Sequence, residues 1–419
     1  MEISTNKNNS TVQSQNLIEL SKSRYFLFIF SIIIICAIGF VASDIYLPSL
    51  PAIAHHFHIE PKWAQYTMTS FLITMAIFQV FSGSLSDKFG RKKVLAFFML
   101  IFIFSSLGCY FSTSIYQLII CRIFQAIGAC AGMTIGQAMV ADLFSAKDLA
   151  KILSITIPMV AFSPAIAPVV GGHIETSYNW QTNFLILAGY GVFILLLIIL
   201  PFIPTAPNQT TMQRKVTAFD LKALIKIVTD QKFIAFAFFM KVSNASYFAF
   251  LAASPFLLKE FGYSPTTVGY AFCAASFPYM FASLLGRRLS IKKTSLQIIF
   301  MGLCLNFLGG LLLIMMFFCH WEHILALMIP VFIITIGNGL LMPFSSANAI
   351  ALFPHHAGMV TGTLGSLQLA AAGIATAVIG FIENGTLLPI GIFVLTIAIL
   401  AILVFVLTFK VTDKNIIYS

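Results

Sequence analysis

The sequence predicts an all-α integral membrane protein of twelve transmembrane helices, arranged as two six-helix halves. Three observations predict it. Of 419 residues, 59% are hydrophobic and 9% are charged, whereas an ordinary soluble domain carries about 25% charged residues. Apolar runs recur along the whole chain at the length of about 20 residues that crosses about 30 Å of hydrocarbon. The basic residues are also lopsided: with an even number of spans, twenty of the 24 Lys and Arg fall on one side, and only Lys62 and Lys259 on the other. That bias satisfies the positive-inside rule and predicts cytoplasmic termini. It also accounts for the net charge of +10 without a nucleic-acid partner.

In chain order, residues 1–21 are rich in Asn, Ser and Gln and read as a disordered tail without the basic start of a signal peptide. The first half, 22–203, reads as helices near 24–54, 64–84, 93–112, 115–140, 150–174 and 181–203, each an apolar run closed by a polar break. Residues 204–231 form the one long loop, with Pro204, Pro207 and a short amphipathic stretch near 219–228. The second half, 232–410, repeats the pattern near 232–257, 266–286, 294–318, 323–351, 358–382 and 387–410, before a tail at 411–419. The break at Gly286, Arg287, Arg288, Lys292 and Lys293 holds the place in this half that Gly83, Asp87, Gly90, Arg91, Lys92 and Lys93 hold in the first. Two halves with corresponding loops predict a transporter built from repeats, with its substrate site between them.

Two charges inside the apolar runs are candidates for chemistry. Asp44 is the one carboxylate deep in a span, and an acid at a helix centre costs about 2.5–3.5 kcal/mol on insertion scales, so its retention points to function. The structural alternative is that Asp44 caps the outer end of a helix that Pro48 and Pro51 terminate. Arg122 has Gln125 on its face at i+3; a permanent cation near a buried acid favours the ionised form, while desolvation favours the neutral one. Arg122 could instead serve structure alone by bonding helix carbonyls. Lys241, about 13 Å into the seventh helix at 1.5 Å per residue, either snorkels or supplies a cavity cation for an anionic substrate.

The seven cysteines have no CxxC pair and read as small core residues. No HExxH or Walker A pattern occurs, so neither a metal nor a nucleotide cofactor is expected, and the energy source is read as a proton gradient. An intramembrane aspartyl hydrolase would need a second deep carboxylate facing Asp44. The chain is therefore not read as an enzyme.

Residues Gly83, Leu85, Ser86, Asp87, Lys88, Gly90, Arg91, Lys92 and Lys93 match the G-x-L-[AS]-D-[RK]-x-G-R-[RK]-[RK] signature of the major facilitator superfamily, which the chain resembles. Within it, Asp44, Tyr46, Leu47, Pro48 and Pro51 resemble the D-x-Y-L-P-x-x-P opening of the Bcr/CflA drug-resistance antiporters. Arg122 to Gly128, Ala167 to Gly172, Asn179 to Phe184, and Ser254, Pro255 and Phe256 resemble later motifs of those proteins. The resemblance implies proton-coupled export of amphipathic drugs or metabolites through the bacterial inner membrane by a protein expected to be a monomer. It gives Asp44 the transported proton, with Arg122 beside it. It makes Gly83, Asp87, Gly90, Arg91 and Asp142 a latch that meets the start of the eleventh helix near Gly358. It also maps the antiporter signature of the fifth helix onto Ser154, Ser163, Ala167, Pro168, Gly171 and Gly172, with three of its glycines replaced here. Pro164 and Pro168 can bend that helix. Tyr46, Gln125 and Lys241 are candidate substrate contacts. A dedicated carrier for an organic acid, amino acid or siderophore, or a non-transporting sensor, would share these features.

Overall fold

In the computed structural model, the described residues are 22–144, 162–199 and 221–410, together with Ile152, Ile155, Thr156, Met159 and Val160. The two tails, Ser154 and residues 204–220 of the central loop lie outside them. Every described element is helical. The first half comprises α1 (Lys22–Asp44), a 3-10 turn (Leu47–Ser49), α2 (Leu50–His56), α3 (Pro61–Phe89), α4 (Arg91–Tyr110), α5 (Ile115–Leu143), α6 (Ser163–Ser177) and α7 (Trp180–Ile199). A short α8 (Leu221–Thr229) falls on the expected amphipathic stretch. The second half comprises α9 (Gln231–Glu260), α10 (Pro265–Leu289), α11 (Ser295–Phe318), α12 (Ile324–Ala351), α13 (Ala357–Ile382) and α14 (Leu388–Lys410).

Among the described residues, eleven spans are long and apolar enough to cross a membrane, the first running through α1 and α2 as Tyr25–His56. The fifth of the twelve places belongs to α6 and the partly described turns before it. Helix starts are marked as the chemistry requires. Ser114, Asp230 and Ser264 each accept a bond from the backbone N–H three residues on, and Thr294 with Gln297 completes a capping box.

The structure corrects the expected helix over 24–54. It is broken at residues 45–49, because Pro48 and Pro51 remove backbone donors and crowd the preceding turn. It also extends the second helix by about a turn at each end: Pro61 occupies its first turn behind Glu60, and the helix runs on to Gly90. Gly90 has φ +94°, a backbone state that L side chains rarely adopt, which is why the chain turns there. The signature is thus the last two turns of α3 and the first of α4, not a loop.

Within the first half, α5 packs on α1, α3 and α4, and α4 on α7; within the second, α12 packs on α9, α10 and α11, and α11 on α14. Phe28, Phe71, Phe102 and Phe184 are fully buried, whereas Phe26, Phe81, Phe104 and Phe381 are exposed on the outer surface. All seven cysteines are free, and Cys304 and Cys319 are exposed rather than core residues.

The halves meet along two seams, α3 on α13 and α6 on α10. In the first, Gln65 lies against Gly380, the Thr69 and Thr376 hydroxyls are 2.8 Å apart, and Ile73 fits Gly373. In the second, Gly172 lies against Pro265 and Thr266, the Thr176 and Thr266 hydroxyls are 2.8 Å apart, and Gly269 meets Pro168. These contacts gather at the end of the bundle far from the basic loops. At the basic end, Gly83 on α3 and Gly358 and Gly362 on α13 face open space, with nothing within 4 Å of where a side chain would begin. The α3–α13 seam runs on to Gln79, whose amide nitrogen lies 3.1 Å from where a Gly365 side chain would begin, and the described contacts between the halves are fewest at the basic end.

Candidate functional site

The break in the first span builds the site. Asp44 is the last residue of α1 and is 3% exposed, and the chain stays among the helices for twelve more residues, to His56. It is therefore not a cap at the outer end of its span. The Ser43 hydroxyl lies 2.6 Å from Asp44 Oδ1, placed to donate to it. Just beyond, the Ile45 carbonyl projects from the broken turn against Gly171 of α6, where any Cβ would collide with it. Gly171 is required by that close approach.

Arg122 of α5 is fully buried and organised by four helices. Its Nη1 donates to the Ala42 carbonyl at 3.0 Å and to Gln125 Oε1 at 2.5 Å, and its Nε reaches the Thr67 carbonyl at 3.5 Å. The guanidinium lies over Phe71 at 4.0 Å and Tyr46 at 4.3 Å, with Phe184 at 5.9 Å. A guanidinium suits such a place, because its faces stack on rings while its edge bonds carbonyls. It is within electrostatic range of Asp44, yet the ion pairs among the described residues are Lys62–Glu60, Arg91–Asp87 and Arg91–Asp142 only. Arg122 fixes the break from behind, and its Nη2 is buried without a partner. Asp44 and Arg122 are the only charged residues in the buried class among the described residues.

The expected substrate contacts divide. Tyr46 and Gln125 are both fully buried. Tyr46 bonds the Thr67 hydroxyl at 3.1 Å, and Gln125 donates to Ser106 Oγ at 2.7 Å. Lys241 is half-buried, about 15 Å into α9 at 1.5 Å per residue. Ile234, Phe238, Lys241, Asn244 and Phe248 recur at intervals of three and four along a helix that is otherwise almost wholly buried. That stripe also carries Tyr247, which is within electrostatic range of Asp44 across the two halves. Lys241 thus stands on the half-buried face of α9 that also carries Tyr247.

The motifs converge on the break. Asn183 of α7 donates to Ser49 Oγ at 3.1 Å, Phe184 packs on Tyr46 with centroids 5.4 Å apart, and Asn179 Oδ1 accepts from Thr182 to start α7. Pro164 opens α6, and Pro168 within it lies against Gly269. Thr67 lies about 9 Å along α3 from Pro61, so the Asp44 site sits in the far third of the span and not at mid-depth.

At the basic end, Arg91 turns back over the end of α3. Its Nη1 donates to Ser86 Oγ at 2.6 Å and points to the Gly83 carbonyl at 3.5 Å; it pairs with Asp87, and its Nε donates to Asp142 Oδ2 at 2.9 Å. The cluster lies wholly in the first half, and Gly358 does not touch it.

Sequence reasoning missed several polar groups. Ser246 donates to Asn306 Oδ1 at 3.0 Å and Asn306 to Asn338 Oδ1 at 3.1 Å, tying α9, α11 and α12 in the second half. Lone Asn residues in apolar runs were the available signal. Gln65 and Glu383, which join the halves at the far end, left none, since each stands near a span end where polar residues are ordinary.

The sequence profile of the Major Facilitator Superfamily matches residues 29–376. The chain is 25% identical over 370 residues to the bicyclomycin resistance protein homolog of Haemophilus influenzae, covering 87% of this chain and 91% of that one. It is 25% identical over 350 residues to multidrug resistance protein D of Escherichia coli, covering 82% and 86%. Among solved structures, a bacterial homolog of the human lysosomal transporter Spinster, inward-facing and occupied, superposes with a TM-score of 0.74 at 13% identity over 93% of this chain.

Proposed function

This chain belongs to the Major Facilitator Superfamily, a family of membrane transporters, and we propose that it exports amphipathic drugs or metabolites across a bacterial inner membrane in exchange for protons. The basic end is cytoplasmic, with both termini, by the positive-inside rule. The conformation is then closed outside. The observation that carries the reading is that the one buried acid and the one buried permanent cation among the described residues both stand at one broken helix. The drug-resistance names of the two relatives support the substrate class.

Asp44 takes a proton from outside and gives it up inside, and substrate and proton compete for occupancy of the cavity. Arg122 keeps the break rigid while the charge on Asp44 changes. One charge crossing 100 mV is worth about 2.3 kcal/mol, enough to sustain roughly a fiftyfold gradient of a neutral substrate. The test is substrate uptake into vesicles containing purified protein under an imposed pH gradient. Gradient-dependent accumulation supports the reading, and its absence overturns it.

The Asp87, Arg91 and Asp142 cluster is a latch for the opposite state. When the basic end closes, Asp87 meets the N-terminus of α13, where an acid is worth about 0.3–1 kcal/mol. Asp87→Asn is expected to slow flux about two- to fivefold while substrate affinity, measured on the same preparation, stays unchanged.

Lys241 sets the charge preference of the cavity. Lys241→Met is expected to weaken binding of carboxylate-bearing ligands by about 1.5–3 kcal/mol, the range for hydrogen bonds to charged groups, and to spare cationic ones. Equal affinities of a matched anionic and cationic pair in both proteins would remove Lys241 from the substrate site.

A further inference from the structure

The closed seam between α3 and α13 ends in a carboxyl that the Asp44 mechanism does not use. Glu383 follows the last residue of α13, in the first half-turn before α14. The Gln65 amide of α3 donates to Glu383 Oε2 and, at 3.1 Å, to the Ala252 carbonyl of α9. One amide thereby joins the first half to two helices of the second. Gly380 gives Gln65 the room, since a Cβ there would meet its side chain. Two acceptors remain, Gln65 Oε1 and Glu383 Oε1, both buried and without a partner. With Glu383 ionised, neither has a donor among the described residues; protonated, the carboxyl gains the donor that this buried cluster lacks.

We infer that Glu383 is a second proton-binding site, which takes and returns its proton on the outer side, holding the outer seam shut when protonated and releasing it when ionised.

The charged groups around it do not supply an alternative cause. At the start of α3, Lys62 is paired with Glu60, the residue before the helix, at 2.6 Å. On α9, Lys259 and Glu260 stand at the outer end, Glu260 beside Gly385 of the following loop. No acidic or basic residue lies on α13, and Lys410 is at the other end of α14. Burial raises the Glu383 carboxyl to about 8, with the Gln65 bond opposing it, and no charged neighbour contributes. In an opened seam, in water, the group returns to about 4.3. The closed state has the higher value, so protonation favours closure fully below about pH 4.3, and that contribution is lost as pH rises through about 8. Between them the closed-to-open ratio changes by up to about tenfold per pH unit. The repeat places Glu175 at the equivalent point of the other seam, three residues after Gly172 as Glu383 is after Gly380, also with a buried oxygen lacking a partner. Glu175 makes no bond across its seam among those described, so the gate is one-sided.

The inference rests on alternating access but not on which substrate moves. The test places spin labels at Phe111 and Glu322, exposed in outer loops of opposite halves, in full-length protein in lipid nanodiscs from pH 5.5 to 9.5. In the wild type the long-distance population should grow as pH rises toward about 8 and level off above it. In Glu383→Gln, a neutral amide, the distances should stay at the closed values across the range. Glu383→Asp should restore a response and guard against a merely damaged seam. A wild type insensitive to pH, or a Glu383→Gln variant that still opens, would overturn the inference. Flux is recorded on the same proteins in vesicles. A wild type that opens with pH yet carries no proton-driven flux would uphold the outer site while overturning the transport reading.

Discussion

Asp44→Asn is expected to abolish accumulation driven by a pH gradient, to the level of empty vesicles, while folded protein is recovered in wild-type amount. The amide keeps the shape of the carboxyl and can still accept from Ser43, 2.6 Å away in the wild type, but it cannot titrate. Stability should not fall, because Arg122 makes no ion pair with Asp44 and keeps its bonds to Ala42 and Gln125 in the variant. Exchange of substrate down its own gradient should survive, since the helices that rock against each other are untouched. The measurement is paired: pH-driven uptake and substrate exchange on one preparation. Undiminished pH-driven uptake would take the coupling proton away from Asp44.

Replacing Arg122 is expected to do more harm to the fold than any other single change. Arg122→Leu deletes the donors to Ala42 and Gln125 and leaves a buried carbonyl at the end of α1 unpaired, at about 1–3 kcal/mol for each orphaned group. It also removes a cation stacked between Phe71 and Tyr46, worth up to about 2 kcal/mol in a dry site. The expected total is about 3–5 kcal/mol, read as a lower unfolding temperature in detergent together with loss of flux. Arg122→Lys keeps the charge but not the planar fork, so it should fold better than the leucine variant and couple poorly. If Arg122→Leu retained both wild-type stability and coupling, the rigid break would not depend on this residue.

The fold was legible because the bilayer imposes a length and a side on every span. Basic residues and apolar runs are enough to read these, and the charge signature marks the repeat. Asp44 and Arg122 were legible for the same reason, each being costly where it stands. Three things were not. The break at residues 45–49 was half visible in Pro48 and Pro51, but two prolines can bend a helix or end it, and only the carbonyl of Ile45 seated on Gly171 decides which. Tyr46 and Gln125 looked like cavity residues because they adjoin the charges, whereas packing turns both onto Arg122. Gln65 and Glu383 are 318 positions apart, and nothing local marks a pair formed between the two halves.

The central claim is that one acid couples proton and substrate in opposite directions, and it is tested most directly without any imposed pH gradient. Vesicles holding the purified protein, a pH dye and DNA are given ethidium outside, so that its inward movement is read as fluorescence and proton movement as a change of internal pH. The wild type is expected to alkalinise the interior as ethidium enters, protons leaving in exchange, and Asp44→Asn to admit ethidium with no change of pH. Ethidium entry without proton exit in the wild type, or an unchanged proton signal in Asp44→Asn, would contradict it.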